Sequence, residues 1–256
     1  MRTLLGIALV ALGTASAGAQ QADFQWSKAE PAGTVVSVHD INGDVRFAPA
    51  GGTTVEVTGH RHGNTDDMYV AVKEYAQHVV VCVLWKDSDE SCDEDGAHMH
   101  SHHSNWGDRG TVDVTVKLPA SMLADAHSVS GDVAIDGAQG DVRASSVSGD
   151  LKLHDLRASS VRATSVSGDV DVTIAALTGA GDLSFRSVSG DVTVAVPAAL
   201  DADFAMSTVS GDLDTDFPLT LHGQVGRRSI NARIGRGGRA LSVSTVSGDV
   251  RLRTLK

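Results

Sequence analysis

Through the second half of the chain, apolar and polar residues alternate within short blocks, and the blocks themselves recur. Ser-Val-Ser-Gly-Asp-Val begins at Ser128, Ser165 and Ser187, Ser-Val-Ser-Gly-Asp-Leu at Ser146, and Thr-Val-Ser-Gly-Asp at Thr208 and Thr245. Alternation with period two is the mark of strands, and a fixed longer period is the mark of a repeat architecture. The turn glycines are Gly131, Gly149, Gly168, Gly190, Gly211 and Gly248, spaced 18, 19, 22, 21 and 37 residues apart. One turn of about 18–22 residues holds two short strands, which fits a β-solenoid better than a propeller blade of roughly 40 residues. The last gap is close to two turns and predicts a decayed copy around Ile230 to Gly235. Weaker copies, Gly140-Asp141-Val142 and Gly181-Asp182-Leu183, fall between the strong ones.

Before residue 120 the strands are shorter and less regular. They are predicted around Thr34–Phe47, Thr54–Thr58, Met68–Val72, His78–Trp85 and Thr111–Leu118, with a turn at Ala48–Gly52. Asn42-Gly43-Asp44-Val45 is already a degenerate copy of the repeat. Residues 86–106 have no apolar period: they are acidic first and histidine-rich second, which predicts a protruding loop between two strands. The organisation expected is a leader over 1–19, a β region over 20–119 and a solenoid over 120–256, or one continuous domain from 34 to 256.

Within one repeat, Val129, Val133 and Ile135 share a parity and are expected to point inward, with Ser130, Asp132 and Ala134 outward. Gly131 then marks either a close approach of the coil wall or, the favoured reading, a corner with positive φ. Stacking such turns about 4.8 Å apart builds valine ladders that no single turn could bury alone. It also aligns Asp132, Asp150, Asp169, Asp191 and Asp212, with Asp249 in the final copy. Neighbouring carboxylates at that spacing repel by about 0.9 kcal/mol even in bulk water. The expected relief is that each aspartate accepts a hydrogen bond from an amide of its own turn. The Gly-Gly-x-Gly-x-Asp signature of Ca²⁺-binding β-rolls is absent, which argues against a Ca²⁺ ladder. The closing run Val250 to Lys256 alternates with its cations outward, as expected of a terminal strand protected from edge pairing.

Composition narrows the setting. Arg2, the apolar run Leu4 to Leu12 and Ala17-Gly18-Ala19 form a secretory signal with cleavage near Gln20. That run is too short to span a bilayer, and no later one is longer. The formal charge of −11 becomes −12 once Arg2 is removed, which opposes nucleic-acid binding unless a basic patch is segregated. The candidates, Arg227, Arg228, Arg233, Arg236 and Arg239, have no aromatic beside them. Two cysteines, Cys82 and Cys92, lie close together; in an oxidising compartment they are expected to form a disulfide closing a short loop. A buried Cys82 or a Cys/His metal site are the alternatives.

Candidate chemistry is sparse. His98, His100, His102 and His103 could hold Zn²⁺, Cu²⁺ or Ni²⁺, since imidazole suits all three, although their spacing fits no closed structural site. No nucleophile elbow, His-Glu-x-x-His or phosphate loop occurs. His127 and His154 stand alone in sequence and read as surface residues.

The serial Ser-Val-Ser-Gly-Asp-Val/Leu copies, the early Asn42-Gly43-Asp44-Val45, the strand Val112–Pro119 and the closing stretch from Ile234 to Val250 resemble the bacterial "putative adhesin" family, domain of unknown function 4097. The resemblance covers about Thr34 to Leu255. It implies an exported or envelope-associated right-handed parallel β-solenoid, and it implies no catalytic residues; the acidic and histidine-rich loop is not part of the shared pattern. The reading is therefore an all-β exported protein, periplasmic or extracellular, with no enzymatic activity and no required cofactor. It serves as a structural or adhesin-like module contacting an envelope protein or glycan. The alternatives are a periplasmic metal-binding protein using the His-rich loop, and a carbohydrate-active β-helix enzyme.

Overall fold

The computed structural model of the chain describes residues 23–86, 91–98, 110–221, 226 and 228–255. The expected leader, 1–19, lies outside them. All elements among the described residues are strands. In chain order they are β1 (Phe24–Ala29), β2 (Val35–Asn42), β3 (Val45–Ala50), β4 (Thr54–His62), β5 (Met68–Tyr75), β6 (His78–Trp85), β7 (Ser91–Asp93) and β8 (Gly96–His98). Next come β9 (Thr111–Pro119), β10 (Leu123–Ser130), β11 (Val133–Asp136), β12 (Val142–Ser148), β13 (Leu151–Ala158), β14 (Val161–Ser167), β15 (Val170–Leu177) and β16 (Leu183–Arg186). The last are β17 (Val192–Pro197), β18 (Ala202–Ser207), β19 (Leu213–Thr215), β20 (Thr220–Leu221), β21 (Ser229–Ile234), β22 (Arg239–Ser244) and β23 (Val250–Leu255).

Two large sheets face each other. Sheet A runs β1-β4-β9-β3-β11-β13-β15-β17-β23-β19, and sheet B runs β20-β21-β18-β22-β16-β14-β12-β10-β2-β6-β5. The chain lays a strand in sheet B, turns at Gly-Asp, lays a strand in sheet A and returns. Each coil thus adds one parallel rung to each sheet: β2 with β3, then β10–β11, β12–β13, β14–β15 and β16–β17. The core lies between the sheets. Sheet A contributes Ile135, Leu153 and Val172, while sheet B contributes the smaller Ala126, Ala144 and Ala163, all at most 3 % exposed. Each larger side chain is worth roughly 1.5–3 kcal/mol on burial, and the ladder repeats that gain at every rung.

Rung order departs from chain order twice. At one end β6 and β9 form the rung preceding β2–β3, with β4 and β1 continuing sheet A antiparallel and β5 continuing sheet B. Strands from before and after residue 120 therefore share both sheets. At the other end the C-terminal coil, β22–β23, lies between β16–β17 and the earlier coil β18–β19. The decayed copy expected around Ile230 to Gly235 is instead strand β21, antiparallel to β18 at the margin of sheet B. The closing strand, expected at an edge, is interior: Arg251 pairs with Asp191 and Asp249, and Arg253 with Asp214 and Asp216. Rungs of near-identical sequence are interchangeable, so the repeat alone does not set their order.

Candidate functional site

The Gly-Asp corner is the most regular feature. The repeat glycines from Gly43 to Gly248 have φ between 144° and 155°, and a Cβ on any of them would run into a backbone carbonyl oxygen of the preceding rung. The two explanations for glycine therefore hold together. The sheet change at this corner also shifts the side-chain parity. Inside sit the first hydroxyls of each copy, Ser128, Ser146, Ser165, Ser187, Thr208 and Thr245, each donating to a glycine carbonyl of the neighbouring rung at 2.9–3.4 Å. The valines expected inside are outside: Val147, Val166, Val188, Val209 and Val246 are 46–58 % exposed, and Val129 is half-buried.

The aspartates form a continuous spine in the spatial order Asp113, Asp44, Asp132, Asp150, Asp169, Asp191, Asp249, Asp212. Each Oδ1 accepts the backbone N–H of the next at 2.7–3.0 Å. The partner is the next rung, not the residue's own turn as expected. A charge-assisted bond to an amide is worth about 1.5–3 kcal/mol, enough to outweigh the ladder's self-repulsion. Lys152 bridges Asp132 and Asp150 at 3.1 and 3.5 Å. The Asp249 amide and the Arg251 guanidinium hold Asp191 below the usual carboxylate range.

At the first rung β6 ends at Trp85 and β9 begins at Thr111. Part of the expected loop is an ordered hairpin, β7–β8. It packs on the outer face of sheet B over β6 and β2 with Val80, Cys82, Leu84, Tyr69, Tyr75, Cys92 and Ala97 in a second apolar cluster. Cys82 and Cys92 are joined, with Cα atoms 6.0 Å apart. Gly96 lies against the His39 ring, with no room there for a Cβ. His98 Nε2 is 2.9 Å from Asp93 Oδ1; His100, His102 and His103 lie outside the described residues. Among those described, no cluster of three metal-ligating side chains occurs.

Two histidines, of which the sequence had singled out only His127, meet beside the hairpin. His127, expected to stand alone, stacks on His39 with ring centroids 4.6 Å apart. Burial, then the proximity of His127, pushes His39 down to about 4. Asp40, which replaces the inward serine on this rung, is 3 % exposed, and burial pushes it up to about 7. The sequence signal is visible once Asn42-Gly43-Asp44 is aligned with the later copies: Asp40 falls in a hydroxyl position, and His39 and His127 fall at the same place, four residues before the glycine.

His127 Nδ1 also lies 2.7 Å from Ser145 Oγ, and its Nε2 2.8 Å from Asp125 Oδ1. Ser145 sits mid-strand between paired neighbours, so no free amides converge where an oxyanion would form. A hollow of about 710 Å³, lined by Asp44, Arg46, His60, Arg61, His62 and Asp113, is open to solvent. In it, Asp113 is already engaged by the Asp44 amide and His62. Of the arginines weighed as a basic patch, Arg227 lies outside the described residues and three others are engaged. Arg233 pairs with Asp203 and Arg236 with Asp201, and buried Arg239 donates to the Ser159 and Gly179 carbonyls.

A family model described as Toastrack DUF4097 matches residues 113–253, more than half of the chain. Among solved structures, a "putative cell adhesion protein" from Clostridium sporogenes is similar over 91 % of this chain and 99 % of its own, at 10 % identity and a TM-score of 0.53. A "putative adhesin" from Bacteroides fragilis aligns over 91 % of this chain and 96 % of its own, at 10 % identity and a TM-score of 0.30. The first likeness shows the fold alone. No curated protein matches.

Proposed function

The chain belongs to the Toastrack DUF4097 family, and from that premise we propose that it is an exported, non-catalytic, adhesin-like binding module of the cell envelope. The observation that carries this reading is the rigid outer surface of sheet B, where hydroxyls and exposed valines repeat rung after rung above a spine of interlocked backbone bonds. Such a surface matches an extended partner better than a small molecule, which needs a concave, largely enclosed site. The Cys82–Cys92 bridge supports export, because disulfides persist in oxidising compartments. A right-handed winding of the coils belongs to the same reading. No helix among the described residues is long and apolar enough to cross a membrane.

The test is retention of isolated envelope material by the immobilised mature protein. The comparison is a variant carrying Val147→Asp, Val166→Asp and Val188→Asp with an unchanged far-ultraviolet spectrum. Capture by the parent and at least tenfold less by the variant is expected. Equal capture by both, or by neither, removes the sheet-B surface as the contact.

A further inference from the structure

On the outer face of sheet B, Arg143, Arg162 and Arg186 lie on three successive rungs. Arg143 and Arg162 are in register, and Arg186 is in register with Thr164, one side-chain repeat nearer the valine row. All three are exposed, and none makes an ion pair within the described residues. Arg143 lies opposite Asp125 in register, yet the Asp125 contact is with His127. Sheet A is the contrast: there Lys152, Arg251 and Arg253 each bridge two aspartates. Like charges directly opposite one another weaken a sheet. Sheet B nonetheless carries such a pair, Arg143 and Arg162, in a chain whose net charge is −11; the Asp125 carboxylate acts on Arg143 through space but forms no ion pair with it.

We infer that this face binds an acidic polysaccharide, a stiff chain bearing carboxylates, laid across the rungs from Arg143 through Arg162 to Arg186. The inference rests on the binding-module reading above and names the class of partner. Charge complementarity calls for a polyanion, and Arg forks suit carboxylates. Rungs about 4.8 Å apart offer a cation at each step, with Ser145, Thr164 and Ser184 as hydroxyl partners between them. Other polyanions fit less well. The backbone of this face is already paired on both sides, so an acidic peptide gains no strand addition. The strands that carry the three arginines hold no outward-facing Phe, Tyr or Trp on which nucleic-acid bases could stack. A flat anionic membrane reaching the arginines and valines would also meet the aspartate spine just beyond the corner, whereas a linear chain can track the arginine side alone.

The experiment measures retention of the mature protein on immobilised alginate, beside neutral dextran, poly-glutamate and phosphatidylglycerol vesicles. It uses the parent, the triple variant Arg143→Ala/Arg162→Ala/Arg186→Ala, and Lys152→Ala as a control on the opposite sheet. Melting temperatures establish that each is folded. Expected are alginate binding that weakens steeply with added salt, at least tenfold loss in the triple variant, and none in the Lys152 variant. Alginate binding unchanged by the triple variant, or no alginate binding at all, overturns the inference. Equal or stronger binding to vesicles or poly-glutamate overturns the polysaccharide assignment. If envelope material is still captured in a valine-dependent way while alginate is not, the binding-module reading stands and only this inference falls; if neither is captured, both fall.

Discussion

Glycine at the corner is dictated by a neighbouring rung as much as by its own turn. At Gly149 a Cβ would press on the Gly131 carbonyl, and backbone cannot yield as a flexible side chain can. Gly149→Ala is expected to cost more than about 2 kcal/mol, whereas Gly51→Ala, in open space, should be close to neutral; urea denaturation of the two variants checks the contrast. Asp40 and His39 oppose each other in pH. Asp40 keeps its proton in the folded state up to about 7, against an ordinary 3.8, so its stabilising contribution is lost as pH rises towards 7. His39 stays neutral in the folded state down to about 4, against 6.5, so its contribution is lost as pH falls from 6.5 towards 4. Between pH 4 and 6.5 the two slopes compensate. Melting temperature should rise with pH over that window in Asp40→Asn and fall with pH in His39→Gln. Parallel profiles for parent and both variants would contradict the assignment.

At the scale of elements, the aspartate spine and the hairpin make separable contributions. Asp150→Ala leaves the Asp169 amide without its acceptor and is expected to cost about 1–3 kcal/mol. Asp150→Asn keeps an oxygen there and should cost less, a ranking that denaturant midpoints will report. The hairpin is held by one bridge between residues ten apart. Cys92→Ser should cost about 3 kcal/mol on the loop-closure estimate. It should also release Gly96 from His39, so that the His39 titration followed by proton NMR moves up from about 4 towards 6.5. A His39 titration unmoved by the substitution would show that the hairpin stays seated without its bridge.

For the whole molecule, the position of the final coil matters most. In a simple solenoid, trimming the last repeat leaves its predecessors paired. Here β22–β23 is the neighbour of both β16–β17 and β18–β19. Deleting residues 239–256 is therefore expected to abolish amide-exchange protection across Ala202–Ser207 and Ser229–Ile234, while Val142–Ser148 stays protected. Retained protection over Ala202–Ser207 would mean that β18 can dock directly on β16.

Strand identity, repeat length and the kinship of Asn42-Gly43-Asp44 with the later copies were all legible in the chain, because period-two alternation and a recurring turn are local properties. The corner glycines and aspartates could be named from sequence for the same reason. Their partners could not. The aspartates reach the next rung and not their own turn, and the corner turns Val147 outward and Ser146 inward, since parity carried through a turn depends on how the chain changes sheets. His39 and His127 each stand four residues before a corner glycine, and Arg143 and Arg162 each six before one, so the repeat frame gives each pair one position, while only the structure shows that their rungs are neighbours. Sequence by itself determined that the chain would coil and what each rung would be made of. Only tertiary structure decided which rung lies beside which, because parallel rungs of nearly the same sequence pair equally well, and the choice falls to how the ends are closed.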